Sequence, residues 1–203
     1  MLSEQPSPEN AITPRELIRW LRPYCDQENA AVMYKQSGGD LSPGWVKGEE
    51  DVLRATKAFA NGTLESERFE SITKDGKTYT IQGATRLGLV PHRDSLVTVF
   101  CLDLDDHTGD GGHAHLHETF SRFFGVSTLY FSSKGGKGLH GFFRLREPMP
   151  VRDFVAWLKA WGFNRDGEPE VFPKTGKLTQ VWLPGEPNEL EGMRMSAATL
   201  NRA

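Results

Sequence analysis

"LVTVFCLDLD" occupies residues 96–105, and "DHTGDGG" (106–112) follows at once. The apolar and β-branched opening of this stretch predicts a buried strand, and the polar, glycine-rich sequel predicts a loop. Side chains alternate along a strand, so Asp103 and Asp105 share one face, about 7 Å apart. At an effective dielectric near 20, two such charges repel by about 2 kcal/mol. A divalent cation removes that cost and is the usual occupant of an all-oxygen site. Two acids that cap an exposed strand end and begin a turn would give the same local sequence, so the flanking chain has to decide.

Outward from this strand the periodicity keeps changing. "HAHLHETFSRFFG" (113–125) reads as a helix and "VSTLYFSS" (126–133) as a strand. "GLHGFFRLRE" (138–147) is a returning strand, and "VRDFVAWLKAWGF" (151–163) is a helix. In that helix Phe154, Trp157, Leu158 and Trp161 recur at helical spacing and are expected in the core. "PEVFP" (169–173) and "TQVWLPG" (179–185) close as short strands. Strand–helix–strand–strand–helix–strand is the split βαβ order, which implies an α+β fold with helices on one face of a sheet.

The preceding chain reads as an N-terminal α/β lobe over 13–95, behind a loose, proline-punctuated tail at 1–12. Thr13-Pro14 offers a cap and a first-turn proline to "RELIRWLRPYC". "AAVMYK" (30–35) is a strand, "SGGDLSPGW" (37–45) a loop and "GEEDVLRATKAFANG" (48–62) a helix with acids in its first turn. "FESITKDGKTYTIQ" (69–82) is a hairpin about Asp75-Gly76. Residues 96–203 then form the second lobe.

With 203 residues the chain can bury a core of one large domain or two small lobes. No run of about 18 apolar residues is present, which excludes a transmembrane helix. The N-terminus does not have the pattern of a secretory signal, and two cysteines are too few for a disulfide framework, so a cytoplasmic location is expected. Cys101, inside the apolar run, reads as a small core residue. The net charge is −3, but residues 1–131 carry 13 basic against 19 acidic side chains and residues 132–203 carry 11 against 8. That asymmetry permits a local phosphate-facing surface on the second part.

"SSKGGKGLHG" (132–141) is not a P-loop, because Lys137 is followed by glycine and a strand comes next rather than a helix. It remains a turn whose amides, with Ser132, Ser133, Lys134 and Lys137, could meet phosphate oxygens. Alternation after the turn sets His140, Phe142 and Arg144 on one face, so His140 need not sit in the apolar layer. Glu170, beside Val171 and Phe172, is a third acid on a later strand and could complete a two-metal site; Glu168 competes for that role.

An acid–x–acid after an apolar strand, a small residue–x–His after a Gly/Lys turn, and an acid on a later strand, in that order, resemble the archaeo-eukaryotic primase superfamily. The likeness is to the primase-polymerases of plasmids, phages and conflict systems, and it covers about residues 96–185. It implies an RRM-like split βαβ catalytic half fused to an N-terminal α/β lobe. It implies that Asp103, Asp105 and Glu170 hold two divalent cations, Mg²⁺ or Mn²⁺. His140 would meet the triphosphate of the incoming (d)NTP, with Ser133, Lys134 and Lys137 as helpers. Partners would be single-stranded DNA template and primer, with Arg86 and Arg93 on template phosphates, and the setting would be prokaryotic, plasmid or phage. The abrupt C-terminus suggests the catalytic piece of a longer protein, with a helicase or accessory segment beyond it. Relatives often carry Asp in the third motif, and the zinc-binding cysteines of some cellular primases are not found here.

Two other readings stay open. His115-Leu116-His117, next to His113, has the His–apolar–His spacing of HUH-type rolling-circle nucleases, which pair a metal with a tyrosine nucleophile such as Tyr130. A helical setting would turn those histidines about 100° apart, and a strand is the wrong place for the tyrosine. A non-catalytic nucleotide- or nucleic-acid-binding module would bind triphosphate without turnover.

Overall fold

A computed structural model describes residues 11–36, 38–72, 75–105, 129–133, 138–164, 170–174, 178–185 and 194–195; for 105, 129–133, 138–139 and 194–195 it describes the backbone alone. The chain begins with α1 (Pro14–Leu21). Thr13 caps it in a reciprocal box: the Glu16 amide donates to Thr13 Oγ1 at 3.3 Å, and the Thr13 amide donates to Glu16 Oε2 at 2.7 Å. Those bonds, the amide first, hold the Glu16 carboxyl below its ordinary value. A 3₁₀ turn, Arg22–Tyr24, ends this segment where the sequence places Pro23.

The first sheet contains β1 (Asn29–Lys35), β2 (Leu41–Lys47), β5 (Ala84–Leu89) and β10 (Val181–Trp182), in the order β10-β5-β1-β2. Helix α2 (Glu49–Ala60) carries Glu49, Glu50 and Asp51 in its first turn and buries Val52, Ala55 and Phe59. A separate hairpin, β3 (Arg68–Ile72) with β4 (Thr78–Gln82), adds Phe69 and Ile81 to the same core as Leu17, Leu21, Leu87 and Leu89.

The loop expected over 37–45 is corrected by β2. Proline and glycine hid this strand. Within its sheet β2 pairs only with β1, and an edge strand tolerates the missing N–H of Pro43. Gly44 is there for packing: a Cβ would lie 2.4 Å from Ile81 Cδ1. Strand β5 had no counterpart in the sequence reading, since Arg86 and Gly88 interrupt its apolar pattern.

The second sheet is built on β6 (Leu96–Asp105), the strand expected from the sequence. Around it lie β7 (Leu129–Ser133), β8 (Gly138–Pro150), β9 (Glu170–Phe172) and β11 (Arg194–Met195), in the order β11-β7-β8-β6-β9. Both β6 and β7 run antiparallel to β8, so they are parallel to each other with β8 inserted between them. That is the split order, in an α+β chain of antiparallel sheets. The helix expected over 113–125 lies outside the described residues.

Past a register irregularity at Val97–Val99, the two faces of β6 part company. Phe100, Leu102 and Leu104 pack with Phe143 and Val171 against Phe154 and Leu158 of α3 (Val151–Ala160). The Phe100 ring lies 5.3 Å from Phe143 and 5.4 Å from Phe154. Val99 and Cys101, on the opposite face, join Phe142 in the core of the first sheet. Cys101 is a core residue, as expected, and its burial pushes the thiol well above its ordinary value.

Trp161, expected in the core, is 58% exposed, because α3 ends at Ala160 and the C-cap residue leaves the apolar face. Strand β10, placed by sequence in the second lobe, pairs with β5 of the first sheet, so the chain crosses back after β9. Among the described residues no helix is long and apolar enough to cross a membrane.

Candidate functional site

Asp103 sits near the end of β6, an interior strand with a neighbour on each side. Across β8 its register partner is His140, and across β9 it is Glu170. Directly opposed residues share a face with Cβ atoms about 5 Å apart, so the three side chains form one row across three strands. The row lies on the Cys101 face, beyond the point where that face meets the first core.

The closest contact in the row is His140 Nε2 to Asp103 Oδ1, at 3.0 Å. Both side chains are largely buried, and His140 is 7% exposed. Its strand face is the expected one, but the imidazole is more enclosed than the sequence implied. The ring nitrogen is near Oδ1 yet not aligned for a hydrogen bond, and Oδ1 is a buried oxygen with no hydrogen-bond donor among the described residues. Burying such an oxygen is costly unless something else satisfies it.

Glu170 is exposed, and its carboxylate pairs with the Lys174 ammonium. That ammonium also lies 4.6 Å from the centroid of the Phe172 ring. Sequence reasoning gave Lys174 no role. Pro173 ends the strand pattern between the two residues, and no periodicity rule links them.

The backbone of Asp105 is two residues past Asp103 on β6, opposite Gly138, and Gly138 is in turn opposite Ser133. The Ser133 and Asp105 side chains, Lys134, Lys137, Glu168 and the histidines 113, 115 and 117 lie outside the described residues. Ser133 and Gly138, which bracket the Gly/Lys segment, therefore stand at the Asp105 end of the acidic strand. Tyr130 is on β7, opposite Gly141, in the strand setting expected for it.

Arg86 is half-buried on β5, opposite Met33, and its side chain runs over Gly185, where a Cβ would meet Arg86 Cγ at 2.5 Å. Arg93 is exposed; its guanidinium donates to the Pro23 carbonyl at 3.3 Å and lies 3.5 Å from Asp94. Among the described residues no hydrogen bond or ion pair joins Arg93 to His140, Asp103 or Glu170.

Carboxylate oxygens on one strand face, one of them buried without an aligned donor, suit hard divalent cations. Among the described residues no three His, Cys, Asp or Glu side chains already gather at coordinating distance, and Asp105 is not among those described. The thiols offer no alternative chemistry: burial pushes Cys25 up to about 12 and Cys101 up as well, which disfavours thiolate. No family model matches the chain, and no curated protein matches it.

Proposed function

We propose that the chain is the catalytic domain of a DNA primase-polymerase, a nucleotidyltransferase that starts or extends a primer on single-stranded DNA. The observation that supports this reading is the cross-strand row His140–Asp103–Glu170, which draws one residue from each of three separate motifs onto one sheet face. The primer 3′-hydroxyl, or a first nucleotide during initiation, attacks the α-phosphate of the incoming triphosphate; the α–β anhydride breaks and pyrophosphate leaves.

Asp103, Asp105 and Glu170 are the residues that would hold two Mg²⁺ or Mn²⁺ ions. When bound, such ions activate the attacking hydroxyl and stabilise charge on the leaving phosphate. His140 stands beside Asp103, at the end of the row opposite Glu170, and would hold a phosphate oxygen of the same substrate. Ser133, Lys134 and Lys137 are proposed as further triphosphate contacts, and Arg86 and Arg93 as contacts to template phosphates. A prokaryotic, cytoplasmic setting belongs to the same proposal.

The test supplies single-stranded template, Mg²⁺ or Mn²⁺ and labelled nucleotides, with and without primer. Metal-dependent products that vanish in Asp103→Ala, Asp105→Ala support the reading. Undiminished extension by the double variant would refute it. Primer-free products would establish priming as well as extension.

A further inference from the structure

The first sheet has two faces, and one of them packs into the helix-covered core. Ala30, Val32, Leu87 and Leu89 point into the helix-covered core, so their neighbours along the strands point the other way. Register identifies those neighbours. Trp45 pairs with Ala31, Ala31 with Gly88, and Gly88 with Trp182, giving one row across all four strands. The row carries a tryptophan at each end and the two smallest side chains between them. The Trp182 indole leans inward, since a Cβ on Gly88 would lie 3.1 Å from Trp182 Cε3. The strands that carry the two indoles are roughly 14 Å apart, three strand spacings.

Beside this row, Arg86 pairs with Met33, and Lys47 pairs with Asn29. The face thus presents two cations, and none of these paired positions is Asp or Glu, in a chain whose net charge is −3. Both tryptophans are half-buried, and Ala31 and Gly88 between them are buried. Trp20 meets Tyr24 and Trp157 meets Trp161, but among the described residues Trp45 and Trp182 have no ring partner. Each ring keeps a partly exposed surface. The platform is also tied to the acidic row. The Lys174 amide donates to Thr179 Oγ1 at 3.4 Å, and Gln180, the next residue, covers Gly88 beside Trp182.

We propose that this face is a base-stacking platform for single-stranded DNA. Trp45 and Trp182 take bases on their rings while Lys47 and Arg86 meet the backbone phosphates. Aromatic surfaces flanked by cations bind single strands with little sequence preference, because every base has a π-face. The inference deepens the polymerase reading and rests on it for the identity of the strand, the template. Its physical basis, stacking on aromatic rings flanked by cations, does not require catalysis.

The test measures binding of a fluorescein-labelled single-stranded 20-mer to the whole chain by anisotropy, without nucleotide, across a salt series. Trp45→Ala and Trp182→Ala should each weaken binding by about 5- to 100-fold, the usual cost of losing one stacked base. Trp45→Phe should retain most of the affinity. Lys47→Ala, at an exposed position that folding tolerates, should flatten the slope of log affinity against log salt by about 0.7. Parent-like binding by both alanine variants together with Lys47→Ala would overturn the proposal, even if the chain extends primers. A parent chain that is dimeric, with Trp45→Ala monomeric and unchanged in DNA binding, would also overturn it, by assigning the face to a second copy. Loss of binding in the tryptophan variants of a chain that never transfers a nucleotide would leave this platform standing and remove the polymerase reading.

Discussion

The imidazole Nε2 of His140 lies 3.0 Å from Asp103 Oδ1, and a β-ladder rather than a loop holds the two residues together. Their separation is fixed by strand register, so either side chain can be changed without displacing the other's backbone. If His140 holds a phosphate oxygen, His140→Leu should raise KM for the triphosphate by about 10- to 100-fold, the cost of losing a hydrogen bond to a charged group. The check is a steady-state titration of nucleotide. An unchanged KM would remove His140 from the substrate site.

Gly44 is predicted to be intolerant of alanine. The added methyl would meet Ile81 Cδ1 at 2.4 Å, an overpacking expected to cost about 1–3 kcal/mol. Ile81→Val removes that δ-methyl, so the Gly44→Ala, Ile81→Val pair should be more stable than the sum of the single changes. Urea denaturation of the four proteins reads the coupling directly.

The strands that carry the acids were legible in the sequence because their signals are local. The apolar run 96–105 announced β6, and alternation grouped His140 with Phe142 and Arg144 on one face of β8 without revealing that His140 is buried there. Pairing was not local. Nothing in "EVFPK" says that Glu170 lies opposite Asp103, and nothing in "TQVWLPG" says that Trp182 returns to β5. Strand β2 was missed because Pro43 and Gly44, turn residues by composition, serve an edge position and a close approach to Ile81. Trp161 was misplaced because helical spacing continued one residue beyond the helix.

Thr13→Ala should destabilise the chain by about 1 kcal/mol through loss of the cap. The same box makes part of the stability pH-dependent. Glu16 titrates below its ordinary 4.5 in the folded chain. Its contribution is therefore complete above that value and is lost as pH falls through the lower, folded one. Thr13→Ala should narrow the difference in melting temperature between pH 6 and pH 3.5; an unchanged difference would contradict the assignment.

His92 adds a second pH effect at higher pH. Burial lowers it below 6.5 against the opposing charge of Asp26, and among the described residues neither ring nitrogen has a hydrogen-bond partner. The unfolded chain then takes up the proton first as pH falls below about 6.5, so stability declines until the folded value is passed. His92→Phe should remove that decline between pH 7.5 and 5.5 in denaturant titrations. A parent chain equally stable at both pH values would refute the prediction.

The most direct test of the acidic row is to count Mn²⁺ ions by electron paramagnetic resonance in the presence of a non-hydrolysable triphosphate. The parent chain should bind Mn²⁺ with nucleotide. Asp103→Asn and Glu170→Gln should each weaken that binding by more than about tenfold while leaving the circular dichroism spectrum unchanged. Parent-like Mn²⁺ binding by Glu170→Gln would contradict the account, because the third carboxylate would then take no part in holding the metal.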